Sequence, residues 1–201
     1  MITKITETYN EQTYSFILNN IKKLNNFWNS CGYGIIKNGT LITEPTISEF
    51  HNYYKTLSPR EFRLYKAGTC WDYVEYGSYF LNTKLIKNHK YYIYTTLPDG
   101  DTHTFILIPY KDKYLYTEGA WKDLANKIDT YKIFSNPVKA FKYITEEMFT
   151  IPDNEDIPKF NYYIWEYHSL PNYGLTAQEF TEFIILQEPI YEGTTVNPNF
   201  N

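Results

Sequence analysis

The sequence predicts an α+β domain, on three observations. Apolar residues recur at helical spacing before residue 82 and again after residue 135, whereas residues 90–118 are β-branched and aromatic with two tight turns. A helix start at Cys70 immediately precedes those strands, so a helix N-terminus packs on an antiparallel sheet. The length of 201 residues, 43% of them hydrophobic, is enough for one packed core.

In chain order, Ile17, Ile21, Leu24 and Trp28 mark an amphipathic helix over residues 11–28, ended by Cys31-Gly32. Residues 33–42 form a small hairpin with Asn38-Gly39 in its turn. Pro45 opens a second helical stretch over residues 47–57. Ser58-Pro59-Arg60-Glu61 combines a capping pair with a proline at the first helical position, and the short helix it starts stops near Gly68. From Cys70 a further helix runs to about Asn82, with Trp71, Val74, Ser78 and Leu81 inward. Strands over 90–96, 102–110 and 114–118 make a three-stranded meander. Period two sets His103, Phe105 and Leu107 on one face, and Tyr114, Tyr116 and Glu118 on one face of the next strand. Pro137 begins a helix carrying Val138, Phe141, Ile144 and Met148 inward. Residues 150–158 read as a loop, residues 160–167 as a strand, and Thr176 to Glu179 as a capping box ahead of a final helix. The expected organisation is a core over 46–149, an N-terminal helix and hairpin over 1–45, a strand–helix extension over 159–187, and a flexible tail over 188–201.

Composition excludes several classes. A net charge of −4 and the lack of a basic stripe speak against nucleic acid as the main partner. No apolar run approaches the ~18 residues of a membrane span, and residues 1–7 have no signal-peptide core, so a cytoplasmic setting with reduced cysteines is expected. A Cys31–Cys70 disulfide is the alternative if the chain is exported by another route. Two cysteines and four histidines are scattered without ligand spacing, so neither a metal nor a cofactor is expected. The 22 tyrosines fit both an AT-rich coding sequence and half-buried aromatic clefts.

A thiol, an imidazole and a carboxylate follow in order at Cys70, His103 and Glu118, separated by 33 residues (103 minus 70) and 15 (118 minus 103). An unperturbed thiol, pKa roughly 8.5, is mostly protonated at neutral pH and needs activation. Cys70 stands at a helix start, where free N–H groups and the helix dipole favour an anion. His103 can take its proton, Glu118 can orient the ring, and the short turn between their strands lets the two meet. The Cys70 N–H is one oxyanion donor, and the indole N–H of Trp71 or the hydroxyl of Tyr65 could be the second. Asp72 either supports the site or complements the helix dipole. Singly, each of these residues reads equally as structural: a buried thiol, a strand histidine, a strand-end acid. Cys31 reads as structural, and His51, His89 and His168 as surface, packing or loop residues.

Gly-x-Cys-Trp-Asp at a helix start, His-x-Phe on a strand and an acid before an aromatic on the next strand resemble the transglutaminase-like branch of the papain-like cysteine enzymes. The resemblance covers residues 58–125 and departs from the family in having Glu118 where Asp is usual. It implies a papain-like or transglutaminase-like core and a Cys70–His103–Glu118 triad with Trp71 and Asp72 beside the nucleophile. The activity it implies is acyl transfer or hydrolysis of a peptide or isopeptide bond in a protein or peptide substrate. Two alternatives stay open. One is a catalytically silent binding protein on the same fold, such as a phage or mobile-element protein sequestering a host factor. The other is an arylamine-type acetyltransferase.

Overall fold

The computed structural model describes residues 2–97, 101–128, 130–149 and 157–196, and the architecture is α+β. Helix α1 (Ile2–Asn29) leads into β1 (Gly32–Tyr33), β2 (Ile35–Lys37), β3 (Thr40–Ile42), α2 (Ile47–Tyr53), α3 (Pro59–Tyr65), β4 (Ala67–Gly68) and α4 (Cys70–Asn82). Strands β5 (His89–Thr95), β6 (Thr102–Tyr110) and β7 (Lys113–Thr117) follow, then α5 (Lys122–Ile128), β8 (Lys132–Phe134), α6 (Pro137–Phe149), β9 (Lys159–Tyr167), α7 (Ala177–Ile185) and β10 (Tyr191–Val196).

The expected meander of β5, β6 and β7 is present inside a larger antiparallel sheet of order β10-β9-β5-β6-β7-β8. Strand alternation divides its side chains between two cores. Tyr92, Ile106, Ile108 and Leu115 pack with α1 and α4, whose Ile21, Leu24, Trp28 and Val74 complete that cluster. Tyr91, Phe105, Leu107 and Tyr116 face the other way and pack on Phe141, Ile144 and Met148 of α6. A buried ion pair, Lys90 Nζ to Glu75 Oε1 at 2.8 Å, pins α4 to the first strand of the meander.

Several elements differ from expectation. Helix α1 begins at Ile2 rather than near residue 11, and α2 ends at Tyr53 with a Thr46–Glu49 capping box. The hairpin holds, with Asn38 and Gly39 at φ 50° and 78° as a primed turn requires, but Gly32–Tyr33 leaves it to pair in parallel with Ala67–Gly68. Glu118 lies one residue beyond the end of β7. Helix α5 and strand β8 were not expected at all. Strand β9 runs between β5 and β10, so residues 159–187 are woven into the sheet rather than appended to it. Part of the expected flexible tail is β10. There Tyr191 packs against Phe141 and Tyr162, and a Cβ on Gly193 would come within 2.4 Å of the Tyr162 ring, so the glycine lets that ring cross the strand. Residues 150–156, most of the expected loop, lie outside the described residues, as do residues 98–100 of the first turn.

The approach to Cys70 is set by local chemistry. The Ser58–Glu61 capping box starts α3, and Lys66 at φ 49° reverses the chain out of it into β4. Gly68 then passes the Asp72 side chain so closely that an added Cβ would lie 2.6 Å from its Cβ and 2.8 Å from its Oδ2. Gly68→Ala is therefore expected to cost about 1–3 kcal/mol through overpacking against a buried carboxylate, read as a lower urea midpoint at unchanged m.

Candidate active site

Cys70 is the first residue of α4, after the N-cap Thr69. Asp72 fixes that corner. Its Oδ2 accepts from the Thr69 N–H (2.8 Å) and hydroxyl (3.2 Å), and its Oδ1 from the Leu57 N–H (2.7 Å) and the Tyr54 hydroxyl (3.2 Å). Burial pushes this carboxyl up to about 7, against the downward pull of the same hydrogen bonds. Asp72 is thus more than a dipole complement: it ties the chain before α3 to the turn that carries the thiol.

Glu118 is enclosed by donors. Its Oε2 meets His103 Nε2 at 2.9 Å and accepts from the Tyr116 hydroxyl at 2.7 Å. Its Oε1 accepts from the backbone N–H groups of Gly119 (2.8 Å), Ala120 (2.8 Å) and Trp121 (3.3 Å). Burial alone would raise this carboxyl, but the His103 charge and these hydrogen bonds hold it below the ordinary glutamate range. Burial likewise disfavours the charged imidazole, yet the Glu118 charge and hydrogen bonds to Cys70 and Glu118 raise His103 to about 10. The ring therefore keeps both protons at neutral pH. With Nε2 engaged by Glu118, Nδ1 is the nitrogen left for the Cys70 thiol. Folding so brings together the thiol, the imidazole and the carboxylate that the sequence separates.

The remaining expected donors divide. Trp71 is buried, stacked on Phe180 with ring centroids 4.3 Å apart, and its Nε1–H has no hydrogen-bond partner among the described residues. Tyr65 is half-exposed at the last turn of α3, and no described contact joins it to Cys70, so it is not the second donor. Tyr33, which sequence reasoning passed over, is the tyrosine whose hydroxyl lies at Cys70. The parallel β1–β4 pairing aligns it with Gly68, and its hydroxyl lies beside the backbone N–H and the side chain of Cys70. Tyr33 is 45% exposed, whereas Cys70 beside its hydroxyl is only 6% exposed. Gly34, at φ 148°, permits this: a Cβ there would strike the Ile42 carbonyl oxygen at 2.1 Å. The only signal in the sequence was a glycine following a tyrosine. Nothing local announces a two-residue parallel bridge.

The Tyr33 hydroxyl lies against the very N–H that an acyl oxyanion would use. Uncovering should therefore be needed for reaction, and Tyr33→Ala is expected to speed iodoacetamide alkylation of Cys70 by about tenfold, since reactivity scales with the open fraction. Peptide mapping of the alkylated site checks it.

The other candidates are structural. Cys31 and Cys70 are both free thiols, which removes the disulfide alternative. Cys31 is buried, donates from its thiol to the Phe27 carbonyl at 3.3 Å, and is pushed up by burial. His89 is not a loop residue: it begins β5, and its Nδ1 meets Glu166 Oε1 at 2.5 Å. Among the described residues no group of three or more His, Cys, Asp or Glu could hold a metal ion, and no helix is long and apolar enough to cross a membrane. No protein-family model and no curated protein matches the chain.

Proposed function

We propose that the protein is a cysteine-dependent acyl-transfer enzyme that hydrolyses an amide bond through Cys70, His103 and Glu118. The observation that carries the reading is a buried imidazole whose Nε2 meets the Glu118 carboxylate at 2.9 Å and which lies beside the thiol at the N-terminus of α4. His103 holds the proton of Cys70, and the resulting thiolate attacks the carbonyl carbon, forming a C–S bond, while the carbonyl oxygen takes up negative charge opposite the Cys70 N–H. The C–N bond breaks as His103 gives its proton to the departing amine, leaving a thioester. Water then attacks the thioester, His103 accepts its proton, the C–S bond breaks with its electron pair on sulfur, and the acid is released with the thiolate–imidazolium pair restored. Glu118 holds the ring's orientation and charge throughout. A thiol-bearing helix packed on an antiparallel sheet that carries the histidine and the acid supports a papain-like, transglutaminase-like core, with a peptide or protein as substrate.

The near-complete burial of Cys70, with the Tyr33 hydroxyl beside it, favours a second reading, a binding protein on the same scaffold whose site is silent. Mass spectrometry after exposure to peptide substrates or a peptidyl vinyl sulfone, in wild type and Tyr33→Ala, separates the two. Covalent capture at Cys70 and not at Cys31 supports the enzyme. Failure to label Cys70 faster than Cys31 at neutral pH, even in Tyr33→Ala, rejects it in favour of the binding reading.

A further inference from the structure

Farther along α4 from the thiol, a pocket of about 340 Å³ opens between that helix, the start of β5 and the chain just after β9. Neither Cys70 nor His103 lines it. Its base is the buried ion pair that joins α4 to β5: Lys90 Nζ donates to Glu75 Oε1 at 2.8 Å and lies 4.7 Å from the centroid of the Tyr167 ring. Around that pair two buried polar atoms have no hydrogen-bond partner among the described residues. One is the hydroxyl of Tyr167, a residue only 4% exposed, which stands near the Glu75 carboxylate without reaching hydrogen-bonding geometry. The other is Oδ1 of Asn88, whose amide nitrogen is already committed to Asn82 Oδ1 at 2.9 Å and to the Ile86 carbonyl at 3.1 Å. Unmet buried groups of this kind cost free energy that a bound molecule recovers.

The two unmet atoms define the ligand's chemistry. An amide oxygen can only accept, whereas a phenol hydroxyl both donates and accepts, so the ligand must carry donors and acceptors side by side. Charge narrows the choice. The buried Lys90 is matched by Glu75, and His89, also in the lining, is matched by Glu166, which leaves exposed His168 at the rim as the remaining ionisable imidazole. The base of the pocket therefore has no surplus charge to attract an anion or a cation. At the mouth, Tyr79 and Tyr173 are 55% and 42% exposed and offer apolar ring faces beside polar tips. We infer that this pocket binds an uncharged sugar ring, a hexopyranose. Its adjacent hydroxyls donate and accept toward Asn88 Oδ1 and the Tyr167 hydroxyl, and its C–H face lies against the tyrosines at the mouth. The inference stands apart from the acyl-transfer reading, because no residue of the triad takes part.

The test is titration of the full-length wild-type protein, followed by amide NMR, with the methyl glycosides of glucose, galactose and mannose. Glycine and inorganic phosphate serve as zwitterionic and anionic controls. At least one glycoside is expected to bind saturably, with a Kd at about the millimolar level for a ligand of this size, and to shift the signals of Ser78, Asn88 and Tyr167 rather than that of His103. Tyr167→Phe should weaken this binding about three- to tenfold through one lost hydrogen bond, while its urea midpoint equals or exceeds that of wild type, since the free protein has no such bond to lose. Tyr79→Ala, at an exposed ring, should weaken binding by about threefold or more with an unchanged midpoint. No saturable binding of any glycoside, or glycine or phosphate bound as tightly at the same residues, overturns the inference. So does an affinity unchanged in both variants, and a lowered midpoint in Tyr167→Phe without loss of affinity would assign that hydroxyl to Glu75 instead. Methyl glycosides binding at least as tightly as the free sugars would support a glycan end as the ligand's source, and the reverse a free monosaccharide.

Discussion

His103→Gln is expected to lower amide hydrolysis by about 10³-fold or more, with the fold intact. Glutamine can still donate from its amide to Glu118, so the buried carboxylate keeps a partner, and a cooperative thermal melt is the control for folding. What is lost is a group that can receive a proton from the attacking side and return it to the amine. The acylation burst should disappear along with turnover, and iodoacetamide labelling of Cys70 at pH 7 should slow to a rate no greater than that of Cys31. Because thiol and imidazole act as one unit, Cys70→Ala combined with His103→Gln should be no worse than Cys70→Ala alone. Additive losses in that pair would mean the two residues act separately. An unchanged turnover in His103→Gln would remove the imidazole from the reaction.

Order and local chemistry made much of this site legible in the sequence. Helix α4 could be placed to the residue because Gly68, a thiol and Asp72 fall where a helix start needs a tight turn and a first-turn acid. The meander followed from β-branched, aromatic runs separated by turn residues. Non-local pairing was illegible. Tyr33 meets Cys70 only because two short strands, 35 residues apart (67 minus 32), pair in parallel. Strand β10 reads as a polar tail of Gly, Thr, Glu and Val, and becomes ordered because β9 offers it a free edge and Phe141 and Tyr162 pack on Tyr191. The contacts of Glu118 were half legible: the turn length implied its approach to His103. The three successive backbone N–H groups that curl onto its Oε1 arise from the chain's bend after β7, which no periodicity records.

That bend makes Glu118 the position where stability and chemistry are most tightly joined. Glu118→Ala is expected to destabilise the protein by about 3–5 kcal/mol, because it leaves an imidazolium and the Tyr116 hydroxyl buried without their acceptor. In urea this is a large fall in midpoint. Glu118→Gln preserves the volume and an acceptor oxygen and should cost less, which isolates the charge. The pH dependence follows from the two opposite shifts. His103 is raised to about 10 in the fold, so its contribution is full below its unfolded value of roughly 6.5 and is lost as pH rises through about 10. Glu118 is lowered, so its contribution is present above its unfolded value of roughly 4.3 and is lost as pH falls through the lower folded value. The contribution of this pair to stability should therefore be greatest between about pH 5 and 6.5 and decline toward pH 10. In Glu118→Gln burial is left to dominate the ring, His103 becomes neutral near pH 7, and the alkaline decline should flatten. A variant that keeps the wild-type slope between pH 7 and 10 would show that His103 does not owe its proton to Glu118.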